Sequence, residues 1–260
     1  MPQGLIAPQP AADRRLGGRL GSHRSWHLPR PCEVCGQWTA AGLCSDCEAR
    51  FVQQQPSRCP TCALAQPDGL VCGACLRERP PYTRCIALAD YAFPWDRLIA
   101  QFKYQDQPER ARLLAHALHQ AVLRAQPPGP PGASIAPVDC VLPVPLSAAR
   151  LAERGYNQAW ELARRVAALQ RRPAHAHWLQ RLRDTPHQVG LSRAERQRNL
   201  QNAMWVTPIG AAGLAGRSVA LVDDVMTTGV TVAAAALALR AAGAASVQAW
   251  VLARTPAPKA

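Results

Sequence analysis

The chain has 260 residues, 48% hydrophobic and 18% charged, with a formal net charge of +13. That is room for one medium domain plus a smaller module, with a core large enough to fold unaided. The composition excludes a chain that is disordered throughout, and no apolar run nears the ~18 residues of a membrane span.

Residues 1–31 read as a flexible basic tail, rich in Pro, Gly and Arg and without periodicity. They hold no apolar signal segment, so the expected location is the cytoplasm. Next come four CxxC pairs within 44 residues: Cys32/Cys35, Cys44/Cys47, Cys59/Cys62 and Cys72/Cys75. Disulfides are disfavoured in that compartment. A CxxC turn aims two sulfurs at one ion, and two turns complete a tetrahedral thiolate site. Eight ligands imply two zinc ions, structural because four thiolates leave no position for water. Sequential and interleaved pairing both satisfy the spacing. The segment 32–80 has too few large apolar residues to fold without metal, so folding and binding are coupled.

The main domain is expected over residues 81–256, with 257–260 a tail. CIALADYAF at 85–93 reads as a strand and WDRLIAQFKY at 95–104 as a helix with Leu98, Ile99 and Phe102 on one face. A second helix spans 108–125, opened by Pro108 and striped by Leu113, Leu114, Ala117, Leu118, Ala121 and Val122. His116 and His119 sit beside that stripe as solvated or capping groups. Residues 126–137 are a loop, and 138–145 (VDCVLPVP) a short buried strand that runs into a turn. Asn157 caps a helix through Leu169. Ser192 and Glu195 form a capping box. AMWV (203–206) and VALV (219–222) are strand-like. A small-residue helix over 230–243 stops at Gly243, and SVQAWVLAR (246–254) is a last strand. This alternation predicts an α/β fold, a parallel sheet with helices on both faces.

The basic residues are nearly all arginine. Lysine occurs only at Lys103 and Lys259, and residues 150–198 carry eleven arginines against four acids. Such a stripe suits polyanions, whether nucleic acid, phosphate or pyrophosphate. A solvated arginine-rich face is the plain alternative. Lys103, Arg154, Arg193 and Arg196 are the candidates for holding a pyrophosphate.

The most informative stretch is 219–231. An apolar strand ends in Asp223 and Asp224. Val225 and Met226 lead to a hydroxyl-rich turn, Thr227-Thr228-Gly229, and Thr231 lies in the first turn of the next helix. Ligands of open α/β sheets bind beyond the carboxyl ends of the strands. Turn amides and a helix N-terminus cradle an anion, and Gly229 lets the backbone come close to it. Two carboxylates suit the vicinal hydroxyls of a ribose. Phosphate on one side and diol on the other describe a ribose 5-phosphate. Neither GxxxxGK[ST] nor GxGxxG occurs.

LVDDVMTTGVT (221–231) resembles the phosphoribosyl-pyrophosphate (PRPP) motif of type I phosphoribosyltransferases. In order along the chain stand the CxxC pairs, FKY (102–104), LPVPL (142–146), RGYNQA (154–159), TPHQVGLSRAERQRN (185–199), the DDVMTTG core and AGAASVQAWVLAR (242–254). Together they resemble the ComF family, named for a competence protein. The resemblance implies a type I phosphoribosyltransferase-like parallel sheet flanked by helices, with a small N-terminal zinc-ribbon module whose sites are each built from four cysteines. It implies that Asp223 and Asp224 hold the ribose hydroxyls of PRPP. The stretch Val225, Met226, Thr227, Thr228, Gly229 and Thr231 completes the site, with the threonine turn on the 5-phosphate and magnesium riding on the ligand oxygens. It also implies a role in natural transformation. Two readings follow: a phosphoribosyltransferase with an unknown acceptor, and a non-catalytic competence factor, regulated by PRPP, that binds single-stranded DNA or a DNA-uptake helicase.

Overall fold

The computed structural model describes residues 28–104, 107, 110–125, 137–182 and 203–257. Most of the expected N-terminal tail, most of the 126–137 loop, the Ser192–Glu195 capping box, Arg193 and Arg196 lie outside those residues.

Four strands form the main sheet: β3 (Arg84–Asp90), β4 (Cys140–Pro143), β7 (Ser218–Met226) and β8 (Ser246–Arg254). Their order is β3-β8-β7-β4 and every pairing is parallel. A parallel sheet is buried on both faces, so its strands are nearly continuous apolar runs. Side chains alternate between the faces. Ile86, Leu88, Val141, Ala220, Val222, Trp250 and Leu252 pack to one side. Cys85, Ala87, Cys140, Leu142, Val219, Leu221, Val247, Ala249 and Val251 pack to the other.

Helices α3 (Trp95–Tyr104), α4 (Ala111–Arg124) and α6 (Gln158–Leu169) cover the first face, burying Leu98, Ile99, Phe102, Leu114, Leu118, Leu162 and Val166. The Asn157 side chain accepts from Ala159 N at 2.9 Å and from Trp160 N at 3.3 Å, and so starts α6 where the sequence predicts. Helix α8 (Val230–Ala241) covers the second face with Val232, Ala235, Ala236 and Leu239. Its small residues let the helix lie close to the sheet. Two short helices, α5 (Ala148–Arg154) and α7 (Pro208–Leu214), have caps at Ser147 and Thr207.

The 203–206 strand departs from the expected parallel sheet. It forms β6 (Met204–Val206), antiparallel to β5 (Leu179–Arg181), in a separate two-stranded sheet. Only Met204 of its three residues is buried, so it lacks the two-sided burial that a central parallel strand requires.

The cysteine segment carries β1 (Arg30–Pro31), β2 (Trp38–Thr39), α1 (Ser45–Glu48) with a π-turn over Ala49–Gln53, and α2 (Gly73–Arg77). It wraps the outer edge of β3. Cys32, Cys44 and Cys47 join the core on the α4 face, whereas Cys59, Cys62 and Cys75 join the core on the α8 face. Pro60 O accepts from Cys85 N of β3 at 3.4 Å. An exposed strand edge is a pairing liability, and this segment covers it. At the opposite edge Val141 of β4 bridges to Ala174.

Candidate functional site

Strand β7 is longer than its apolar run. It does not end at the two carboxylates but carries Asp223 and Asp224 within it and continues to Met226. Aspartate is a poor strand former. Pairing with β8 from Ser218 to Met226 overrides that preference. The carboxylates are therefore held on rigid backbone at the carboxyl end of the sheet.

Asp223 Oδ1 accepts from Asp224 N at 2.9 Å, and Asp224 Oδ1 accepts from Val225 N at 2.6 Å. Lys103, in the last turn of α3, places Nζ 3.0 Å from Asp224 Oδ1. Asp224 is 7% exposed. Among the described residues no hydrogen bond reaches the second oxygen of either carboxylate, so each has one to offer. Burial pushes the Asp223 carboxyl up to about 7, and the charge of Asp224 adds to the rise. Lys103 and Arg150 of α5 pull the other way. Asp224 is buried and Asp223 half-buried, and two adjacent acids so placed are costly unless partners such as Lys103 use them.

Thr227 and Thr228 follow, both exposed, and then Gly229 at φ +80°. Gly229 is the N-cap of α8, and no side chain caps that helix end. Beyond Val230 N, the amides of the first turn point where an anion would sit. Thr228 Oγ1 lies 3.5 Å from Val230 N, and Thr231 is half-buried in the first turn. The turn is pinned from behind by Arg254, a buried arginine with no acidic partner among the described residues. Its guanidinium donates to Met226 O at 2.9 Å, to Thr227 O, to Thr255 O at 3.0 Å and to Cys62 O at 3.0 Å. One side chain thus ties the threonine turn to the second cysteine group.

Lys103 reaches the carboxylate pair. Arg154 does not: its guanidinium lies 5.1 Å over the Tyr104 ring and donates to the Tyr104 hydroxyl at 3.3 Å. Arg150 and Arg254 escape a reading of the sequence. Ser147, capping α5 three residues before Arg150, is a signal that could have found the first. An arginine at a strand end carries none. His119 Nδ1 sits 3.0 Å from Gln170 Nε2, a structural contact on α4.

The cysteines pair in sequence order. The sulfurs of Cys32, Cys35, Cys44 and Cys47 lie within 4.8 Å of one another, as do those of Cys59, Cys62, Cys72 and Cys75. The two groups share one plan. Cys44 N donates to Cys32 Sγ at 3.4 Å, and Cys72 N to Cys59 Sγ at 3.3 Å. The residue after each first knuckle has positive φ, Gly36 at +77° and Ala63 at +58°. The Cys35–Cys44 and Cys62–Cys72 sulfurs are each 3.6 Å apart. A tetrahedral zinc thiolate site has sulfur edges of ~3.8 Å, so both groups fit one such ion each. The two other cysteines are buried thiols, with burial pushing Cys85 up to about 12 and Cys140 up to about 11.

Comparison with known proteins shows the chain's relatives. The profile of the phosphoribosyl transferase domain matches residues 155–260. The DNA utilization protein YhgH of Salmonella typhimurium is 37% identical over 241 residues, 88% of this chain and 98% of that protein. Competence protein F of Haemophilus influenzae is 34% identical over 217 residues, 82% of this chain and 90% of its own length. Among solved structures, a glutamine PRPP amidotransferase from B. subtilis aligns with 58% of the chain and 30% of its own, at 18% identity and a TM-score of 0.38. The first two relatives, matched along most of their length, carry the assignment.

Proposed function

Because this chain belongs to the ComF (competence protein F) family, we propose that it binds PRPP at the carboxyl end of β7, in the service of DNA uptake or utilisation. One observation carries the reading: two carboxylates, each with an oxygen to spare, stand beside an uncapped helix start behind a threonine turn. Asp223 and Asp224 accept the ribose hydroxyls. Thr227, Thr228, Gly229 and Thr231 hold the 5-phosphate with hydroxyls and amides. Val225 and Met226 complete the stretch as its backbone. Lys103 supplies positive charge for the pyrophosphate, with Arg193 and Arg196 its further holders. Arg154 serves indirectly, through Tyr104. Magnesium accompanies the ligand and shields its phosphates. The reaction class is displacement of pyrophosphate from C1 by an acceptor nucleophile, where this chain supplies position and charge rather than covalent chemistry.

Zinc is the metal that the two four-cysteine groups suit, through Cys32, Cys35, Cys44 and Cys47 and through Cys59, Cys62, Cys72 and Cys75. Its role is structural: it holds the segment that covers the β3 edge. In the test, magnesium–PRPP is titrated into the full zinc-loaded chain and into Asp223→Asn/Asp224→Asn. Wild-type binding with at least tenfold weakening in the variant supports the site. Equal binding by both overturns it.

A second reading has its own observation. The amino end of the sheet gathers Arg84, Arg124, Arg171, Arg172, Arg217 and Arg240, all exposed but the half-buried Arg84. Hydrogen bonds join this end: Arg84 to Ala125 O, Gly216 N to Gly243 O and Ser218 N to the Asp139 carboxylate. It lies away from the PRPP site and suits a polyanion such as single-stranded DNA, or a helicase bearing it. On this reading PRPP regulates rather than reacts. Arg172→Glu/Arg217→Glu then weakens single-strand binding and flattens its salt dependence while PRPP still binds. Unchanged DNA binding contradicts this reading.

A further inference from the structure

Phe102-Lys103-Tyr104 and Arg154-Gly155-Tyr156 lie about fifty residues apart in sequence and meet beside the carboxylate pair. The Tyr156 hydroxyl donates to Phe102 O. The Phe102 and Tyr156 rings pack at 5.8 Å with planes 57° apart. Arg154 lies over Tyr104 and bonds its hydroxyl. These contacts hold both neighbours of Lys103.

The physical need is plain. Phe102 O is one of the last four carbonyls of α3 and has no partner within the helix. Lysine has a flexible four-carbon stem with rotatable donors, and its ammonium prefers water. Lys103 at a helix end would swing free. Instead its side chain is 16% exposed and its ammonium meets Asp224 at 3.0 Å. Gly155, at φ +72°, reverses the chain after α5. That reversal lets Arg154 and Tyr156, on either side of it, reach the same end of α3. An added Cβ at Gly155 meets nothing within 4 Å, so this glycine is needed for its backbone conformation alone.

We propose that Tyr156, supported by Arg154, is a positioning residue that locks the end of α3 and so keeps the Lys103 ammonium against Asp224. The locked lysine opposes protonation of Asp223 and keeps the carboxylate pair open to the ligand. The functional meaning rests on the ribose-site reading of Asp223 and Asp224, but the positioning itself is measurable without ligand. Asp223 faces Asp224 on its own strand, Lys103 from α3 and Arg150 from α5. Withdrawing Lys103 removes a positive charge, so the pair holds its proton to higher pH.

The experiment follows the aspartate carboxyls of the full metal-loaded chain by carbon-13 NMR from pH 4 to 9. The β7 pair is read as a coupled unit. Lys103→Gln moves its upper step upward by roughly half a pH unit or more. Tyr156→Phe, which keeps the ring in the core, moves it the same way by less. The double variant matches Lys103→Gln alone, because both act through one ammonium. A wild-type titration in Tyr156→Phe, additive shifts in the double variant, or no shift in Lys103→Gln would each overturn the proposal. A merely structural tyrosine lowers thermal stability without moving the titration. Should Tyr156→Phe fail to fold, Arg154→Met gives the same reading. Failure of wild-type PRPP binding is a separate result: it removes the ribose reading and leaves these outcomes intact.

Discussion

Asp223 sits where burial and a neighbouring carboxylate both oppose its charge. Its folded carboxyl therefore holds a proton more tightly than its unfolded one, whose ordinary value is 3.8. Between those values the native state binds more protons, so this residue's contribution makes stability fall as pH rises toward 7. Asp223→Asn removes the penalty. It is expected to stabilise the chain by about 1–2 kcal/mol at pH 8, with the gain fading as pH falls from 7 to 4, in thermal melts. The same variant is expected to lose PRPP binding, so that stability and the proposed function trade against each other at one residue. For wild type, PRPP affinity should fall below about pH 7 as the carboxyl takes up its proton. A pH-independent affinity from 5 to 8 would contradict the role given to this acid. Asp223, Asp224 and the threonine turn are legible in the sequence because hydroxyls and acids crowd the end of an apolar run. Arg254 is not, because a buried arginine at a strand end is defined by carbonyls of two distant segments, at Cys62 and at Met226–Thr227, and by its neighbour Thr255.

At the level of elements, periodicity and caps read well. Helices α3 and α6 span the predicted residues, and β8 does too. Asn157→Ala should cost about 1 kcal/mol in denaturant melts, since two amides lose their acceptor. The short helices α5 and α7 escape prediction because seven residues with no apolar stripe give no periodic signal. The reach of β7 beyond Val222 escapes it because the neighbouring strand, not local propensity, extends it. Arg254 couples two elements, the threonine turn and the second cysteine knuckle. Arg254→Lys keeps the charge and loses the fork. It is expected to lower stability by about 2 kcal/mol and to weaken PRPP binding, whereas a wild-type affinity would show that the turn holds its shape alone.

On the scale of the whole molecule, the cysteine segment is part of the sheet's construction rather than an appendage. One cluster seals each face beside β3, and a backbone carbonyl covers the strand's edge. The paired CxxC spacing announces the metal chemistry, but only the fold shows which cysteines pair and where the clusters sit. Metal analysis should find two zinc ions per chain, and chelation should release eight thiols and collapse the cooperative melt of the entire sheet. A chelated chain that melts as before would separate the clusters from the fold. The carboxylate site and the arginine-rich face stand at opposite ends of the strands, so the two proposed ligands would not compete for one surface. The measurement that bears most directly on PRPP recognition is a calorimetric titration of the zinc-loaded chain with magnesium–PRPP beside ribose 5-phosphate. PRPP binding at least tenfold tighter is the expected result if Lys103, Arg193 and Arg196 hold the pyrophosphate as proposed. Equal binding of the two, or none, would reduce the threonine turn to a simple phosphate cradle and contradict the account.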